Sequence, residues 1–284
     1  MHDIFFFTDI HGMYDLYRAI MNYCTEQDPE CIIIFGGDAC DRGKDGYKIM
    51  KELLANPQVI YLRGNHEDLF VSAALEIKQH FNFTGASRSE IMERLGIAMY
   101  HYDEFPYLTN CIYNGGMKTL TDWILDGASL DILDDLNNLQ YTASYGNIDM
   151  CHAGGHYNVF NRVQLTEYSG KSITVEDKTS ILWDRNMINY GWAPNRTCIF
   201  GHTPVYHLSN KLKTLDDTKP CSYYGNLDDR FTGRKIDMDT AACGTGIAYV
   251  LNLHTMIAHG FMDTEYMNDE IRKHDVKKID CIQL

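Results

Sequence analysis

Apolar residues at the start of this chain come in short unbroken runs, each ending in a cluster of glycine, aspartate and histidine. Residues 4–8 lead into Asp9-Ile10-His11-Gly12, residues 31–35 into Gly36-Gly37-Asp38, and residues 58–62 into Arg63-Gly64-Asn65-His66. Runs of this length without polar alternation predict strands covered on both faces. Between them the period changes. Met13, Leu16, Tyr17 and Ile20 fall on one helical face, and more apolar residues gather over 49–54,. Strand, loop and helix in repetition predict an α/β fold, which holds ligands at the carboxyl ends of its strands.

From residue 67 to about 146 the pattern predicts mostly helix, a helical insertion beside the site. Ser87-x-x-Glu90 is a capping box ahead of Ile91, Leu95, Ala98 and Tyr102, and Ser129 can cap a helix carrying Ile132, Leu133, Leu136 and Leu139,. Strands resume at 147–151, 181–183, 197–201, 235–239 and 246–253. Residues 206–234 are polar and turn-rich, the make-up of a functional flap. With no internal repeat and 284 residues, a single domain over 1–284 is expected.

Composition narrows the function. Lys and Arg number 25 against 39 Asp and Glu, a net charge of −14. That balance argues against nucleic acid as partner, which would call for a basic stripe. No apolar run approaches the roughly 20 residues of a membrane span. The N-terminus lacks the basic and small-residue signature of a secretory leader. The nine cysteines are scattered with no C-x-x-C pair. A cytoplasmic protein with reduced thiols is the expectation.

The predicted strand ends present Asp9 and His11, then Asp38, then Asn65 and His66, then His152, then His202. Asp, Asn and His together suit divalent metals that accept oxygen and nitrogen. Along a strand, alternate residues share a face, so Asp9 and His11 can serve one ion. Asp38, with two carboxylate oxygens, can bridge two. Two ions roughly 3.5–4 Å apart would hold a hydroxide and clamp a phosphoryl group.

Thr8-Asp9-Ile10-His11-Gly12, Gly37-Asp38-Ala39-Cys40-Asp41-Arg42-Gly43 and Gly64-Asn65-His66-Glu67 resemble the D-x-H-G, G-D-x-x-D-R-G and G-N-H-E motifs of calcineurin-like metallophosphoesterases. Cys151-His152-Ala153-Gly154-Gly155 and Gly201-His202-Thr203-Pro204 are similar to the later histidine motifs of the phosphoprotein phosphatase branch, which includes phage-lambda and bacterial serine/threonine phosphatases. The resemblance implies a four-layer αββα sandwich and two divalent ions, manganese first, with iron or zinc as alternatives. It implies one ion on Asp9, His11 and Asp38, and a second on Asp38, Asn65, His152 and His202. By the same resemblance His66, held by Asp41, gives a proton to the leaving oxygen. Arg42 and Arg63, and Arg185 of Leu182-Trp183-Asp184-Arg185, would grip phosphate. Asn114-Gly115-Gly116 with Thr119 looks like an N-G-G-x-x-T segment of bacterial members, expected near the substrate mouth. Ala241 departs from the pattern, standing where a glycine is usual, and Cys40 and Cys151 place thiols beside the expected ligands.

The function so implied is phosphomonoester hydrolysis, with a phosphoprotein or a small phosphorylated molecule as substrate and serine/threonine protein phosphatase as the first reading. A dinucleoside polyphosphate hydrolase, acting for example on diadenosine tetraphosphate, shares the centre. A metal-loaded phosphopeptide-binding protein without catalysis is the third reading, and the intact Asp41–His66 pair argues against it. A nuclease-type relative is disfavoured, because Pro204 removes the second histidine of a G-H-x-H motif. Among histidines outside the motifs, His156 draws notice by lying four residues from His152.

Overall fold

The computed structural model describes residues 1–212, 216, 218–224, 232–266 and 275–284. The order begins β1 (Ile4–Phe7), α1 (Tyr14–Gln27), β2 (Ile32–Phe35), α2 (Gly46–Ala55), β3 (Val59–Tyr61) and α3 (Asn65–His80). Four helices follow: α4 (Arg88–Ala98), α5 (Pro106–Tyr113), α6 (Met117–Leu125) and α7 (Asp131–Asn137). Next come β4 (Thr142–Tyr145), β5 (Ile148–Cys151), α8 (Tyr157–Tyr168), α9 (Val175–Trp183), β6 (Thr197–Phe200) and α10 (Val205–Leu212). The order closes with β7 (Cys221–Tyr223), β8 (Arg234–Asp237), α11 (Ala242–Thr245), β9 (Ile247–Asn252), β10 (Ile257–Asp263) and β11 (Val276–Gln283).

The strands form two sheets, ordered β11-β10-β9-β1-β2-β3 and β4-β5-β6-β8-β7. In each, neighbouring strands run parallel: β1, β2 and β3 in the first, β5, β6 and β8 in the second. Strand periodicity then sorts the side chains into layers. Ile4, Phe6 and Ile34 share a core with Met150, Ile199 and Ile236 of the other sheet. Their neighbours Phe5, Phe7, Ile33 and Phe35 pack outward against Leu16, Ile20 and Ile49 of α1 and α2. On the opposite flank Cys198 and Phe200 meet Phe160, Ile181 and Leu182 of α8 and α9. Helix, sheet, sheet, helix is the expected αββα sandwich.

Helices α3 to α7 join the outer core of the first sheet through Phe70, Leu108, Trp123 and Leu133. The region expected to be helical closes in a strand, β4. Residues 181–183, expected as a strand, are the last turn of α9, whose start is capped by Thr174 Oγ1 accepting from Asp177 N at 3.1 Å. A three-residue apolar run does not distinguish strand from helix end. Of the expected flap at 206–234, the described part holds most of α10 and the strand β7; residues 213–215, 217 and 225–231 lie outside the described residues.

Candidate metal centre

The loops that follow β1 and β2 lie side by side and extend the parallel ladder beyond the strands. Asp9 N donates to Gly37 O at 3.0 Å, His11 N to Asp38 O at 3.0 Å, and Gly12 N to Ala39 O at 2.8 Å. Asp9 and His11 are nonetheless out of the strand, at φ +54° and +41°, so a left-handed turn aims them rather than strand alternation. Asp38, Asp41, Arg42 and His202 are also left-handed, at +62°, +67°, +62° and +69°. Such backbone costs an L-residue about 1–2 kcal/mol, less for Asp and Asn, and it persists where neighbours over-determine it.

Glu67 supplies much of that determination. Its buried carboxylate accepts from Asp38 N (2.9 Å), Ala39 N (2.8 Å), Gly64 N (2.9 Å) and the Tyr61 hydroxyl (2.7 Å), pinning the loops after β2 and β3 to the first turn of α3. The sequence signal for this clamp is the place of Glu67 three residues after Gly64, that of a capping box,.

On this frame the expected ligands converge. Asp38 lies 3.5 Å from His11 Nε2 through Oδ2 and 3.4 Å from His152 Nε2 through Oδ1. Asn65 Oδ1 lies 2.8 Å from His152 Nε2 and 2.9 Å from His202 Nδ1. Asp9 accepts from Thr8 Oγ1 at 2.7 Å and from His202 N at 3.1 Å. Two three-residue groups with close ligand atoms share Asp38, namely His11–Asp38–His66 and Asp38–His152–His202. The second ring nitrogens of two expected ligands are held by carbonyls, with His11 Nδ1 2.9 Å from Cys40 O and His152 Nδ1 2.9 Å from Gly36 O, an arrangement that orients metal-ligating imidazoles.

The electrostatics suit cations. Burial, then the charges of His66 and Arg42, holds His11 well below its ordinary pKa, and burial with His152 and Arg185 does the same for His202. Both are thereby kept neutral, the form that ligates. Burial and the adjacent Asp38 raise Asp9. Burial opposes the charge on Asp38, but His152, His66 and His11 outweigh it and hold Asp38 well below the carboxylate range. His202 Nε2 is buried with no hydrogen-bond partner. The Asp38 carboxylate, the imidazoles of His11, His152 and His202, and the Asn65 amide oxygen that His202 faces through Nδ1 form a buried donor set that fits a pair of divalent ions,.

His66 Nδ1 sits 2.8 Å from Asp41 Oδ2, while Nε2 faces the centre, 3.9 Å from Asp38 Oδ2. Burial works against its charge, yet Asp38 and the Asp41 bond prevail and raise its pKa. Arg42 stands over both groups, Nη1 2.9 Å from His11 Nε2 and Nη2 3.0 Å from His66 Nε2. The N-G-G-x-x-T segment turns out to brace this corner. Gly115 O accepts from Arg42 N at 3.1 Å and Thr119 Oγ1 from Asp41 N at 3.1 Å, and a Cβ on Gly115 would come within 2.8 Å of Arg42 N.

Arg63 is the correction. Its guanidinium pairs with Asp68 at 2.6 Å and donates to Leu136 O and Asn137 O of α7 at 3.2 and 3.3 Å. A buried cation takes the nearest carboxylate and carbonyls, so Arg63 ties β3 to α7 and is not brought to the centre. Arg185 is exposed and closer, Nη1 lying 3.5 Å from His202 O and 3.4 Å from Thr203 Oγ1. The Cys40 thiol is fully buried in the outer core, and burial with Asp41 and Glu67 nearby pushes its pKa well up, the setting of an inert thiol,. Ala241 is left-handed at φ +56°, which explains why glycine is usual there.

Over residues 2–220 the chain matches the family described as calcineurin-like phosphoesterase. No curated protein matches it. Among solved structures it is similar to a cold-active protein tyrosine phosphatase, at 14% identity and a TM-score of 0.51 over 98% of this chain and 78% of that one. It is also similar to a metallophosphoesterase from Sphaerobacter thermophilus (12%, TM-score 0.45, 88% and 83% covered) and to a serine/threonine phosphatase from Saccharomyces cerevisiae (12%, TM-score 0.44, 100% and 81%). At these identities the likeness concerns the fold.

Proposed function

The chain belongs to the calcineurin-like phosphoesterase family, and on that premise we propose that it is a metal-dependent phosphomonoesterase acting on phosphoserine or phosphothreonine in proteins. The observation that carries the reading is the convergence of Arg42 and the Asp41–His66 pair on the shared Asp38. Two divalent ions on Asp9, His11, Asp38, Asn65, His152 and His202, with manganese our first assignment, would supply Lewis acidity and an activated water. The chain's own groups do the rest. Arg42 forks onto phosphoryl oxygens where negative charge grows, with Arg185 at the rim. Once Arg42 leaves His66 Nε2 for the phosphoryl oxygens, that nitrogen takes up a proton for the leaving oxygen, and Asp41 fixes the ring and favours its protonated form,.

Two observations support a protein over a nucleotide as substrate: Asp41-Arg42-Gly43 and Arg63-Gly64-Asn65-His66-Glu67 resemble the D-R-G and R-G-N-H-E forms of the phosphoprotein phosphatase branch, and the −14 charge repels a polyanion outside the local cations,. We place the activity in the cytoplasm; among the described residues no helix is long and apolar enough to cross a membrane. The test is turnover with manganese of p-nitrophenyl phosphate, a phosphoserine peptide, a phosphotyrosine peptide and diadenosine tetraphosphate. Phosphoserine turnover that disappears in Asp38→Asn supports the reading. His66→Asn should slow it about 10²- to 10⁴-fold with metal content retained. Turnover of the dinucleotide alone would replace the reading, and silence on all four with two ions bound would remove catalysis from it.

A further inference from the structure

Beside the centre, on its His202 flank, lies an open cavity of about 370 Å³ that the chemistry above does not use. Its walls include Trp183, Tyr190, His156, Asp184, Ser180 and Thr179. The Trp183 ring lies 6.0 Å from the His202 ring, so one wall of the cavity is the shoulder of a proposed metal ligand. His156 and Tyr190 meet edge to face at 5.4 Å. Asp184 Oδ1 accepts from Asn186 N at 2.7 Å, which fixes the carboxylate at the wall.

Aromatic faces carry negative charge at their centres and attract cations, and a carboxylate among them adds a full charge. Resting on the protein-phosphatase reading, we infer that this cavity seats a lysine or arginine side chain of the phosphorylated peptide, one to three residues from the phosphorylated one. The reach follows from geometry: an extended chain advances about 3.3–3.6 Å per residue, and a single ring separates cavity from centre. Among the described residues three cations stand near it: Arg185, whose guanidinium turns to His202 O and Thr203 Oγ1 on the side of the centre, Lys178, paired with Asp68 at 2.6 Å, and Lys235, behind Tyr190 at 6.0 Å from the ring centroid. The Lys235 ammonium is spent on Gly155 O (2.7 Å) and Met187 O (3.0 Å). The −14 charge of the chain favours the approach of a basic peptide as a whole,.

The test uses phosphoserine peptides that differ only by arginine or leucine at each of the three positions on either side, with the wild-type chain, Asp184→Asn and Tyr190→Leu. The expected result is a preference for arginine of about tenfold in kcat/KM at one or two positions, shrinking with salt and falling below about threefold in each variant. Equal turnover of arginine and leucine peptides, a preference for leucine, or a preference that survives both substitutions overturns the inference and leaves the phosphatase reading standing. Turnover of p-nitrophenyl phosphate with none of any peptide overturns both.

Discussion

Glu67 makes a sharp stability prediction because its four partners are all donors. In Glu67→Gln one carboxylate oxygen becomes an amide nitrogen. If the nitrogen takes the Oε2 place, the amides of Asp38 and Gly64 are both stranded, so the better fit puts it at Oε1. There the Tyr61 hydroxyl can turn and accept, but Ala39 N–H is left facing another donor. A hydrogen bond to a charged group lost is about 1.5–3 kcal/mol, and a buried orphan N–H adds about 1–3. The sum is about 4 kcal/mol, which for a chain of this size lowers Tm by roughly 10 °C. Tyr61→Phe, losing one bond to the same carboxylate and stranding nothing, should cost about 2 kcal/mol,. Calorimetry of the three proteins at pH 7 without added metal checks this. Burial and the charge of Asp38 push the Glu67 pKa up against the pull of its donors. Were Glu67 neutral in the folded chain, Glu67→Gln would melt within 2 °C of wild type, and the account of it as an anionic clamp would be refuted.

Ala241→Gly should stabilise the chain by about 0.5–1 kcal/mol, since glycine adopts φ +56° freely,; a lower Tm would count against strain at this turn. Burial lowers the Lys235 pKa to about 8, against an ordinary 10.5. In that window the unfolded chain binds more protons, so stability rises with pH by up to about 3 kcal/mol. Measured from pH 7.5 to 10, Tm of wild type should therefore gain on that of Lys235→Met; a constant gap would mean the ammonium is not desolvated. Arg42→Leu should weaken inhibition by inorganic phosphate at least about tenfold. Arg63→Leu should act chiefly on stability, costing about 2 kcal/mol because the α7 carbonyls lose their donor while Asp68 keeps only Lys178,. Equal loss of phosphate inhibition in both would restore Arg63 to the substrate site.

The parts of this fold that could be read in the sequence are those whose burial is one-sided or complete. β1, β2 and β6 are buried between two layers and appear as unbroken apolar runs, so their positions and the loops after them are legible. β11 is different: Val276–Gln283 is an edge strand of mixed polar residues, largely exposed, with Lys277 and Lys278 guarding it,. Nothing in such a pattern separates strand from loop. At 181–183 the decisive signal was not the apolar triplet but Thr174 with Asp177 three residues on, a cap lying a helix length upstream. For the site, residue types announced the side chains that gather around Asp38, while roles that depend on direction did not show. Arg42 and Arg63 look alike in sequence, and only the position of Asp68 one turn into α3 decides that Arg63 turns away.

The same contrast explains why the centre is built from loops and yet holds its geometry. Among the described residues, six of the ten non-glycine residues with left-handed backbone, Asp9, His11, Asp38, Asp41, Arg42 and His202, are expected ligands or their immediate partners. A strand would point successive side chains to opposite faces; a left-handed residue just past the strand end instead folds the chain over the sheet edge and brings neighbours such as Asp41 and Arg42 to one place. That turn is unfavourable by itself, so it must be imposed. Backbone bonds between the β1 and β2 loops, the Glu67 carboxylate beneath Asp38, and Thr119 and Gly115 against Asp41 and Arg42 impose it from three sides. Two of those three supports come from α3 and α6. The helices after β3 are therefore part of what shapes the centre, and substitutions at Thr119 or Glu67 should be felt at Asp38 and His66, though neither residue touches substrate.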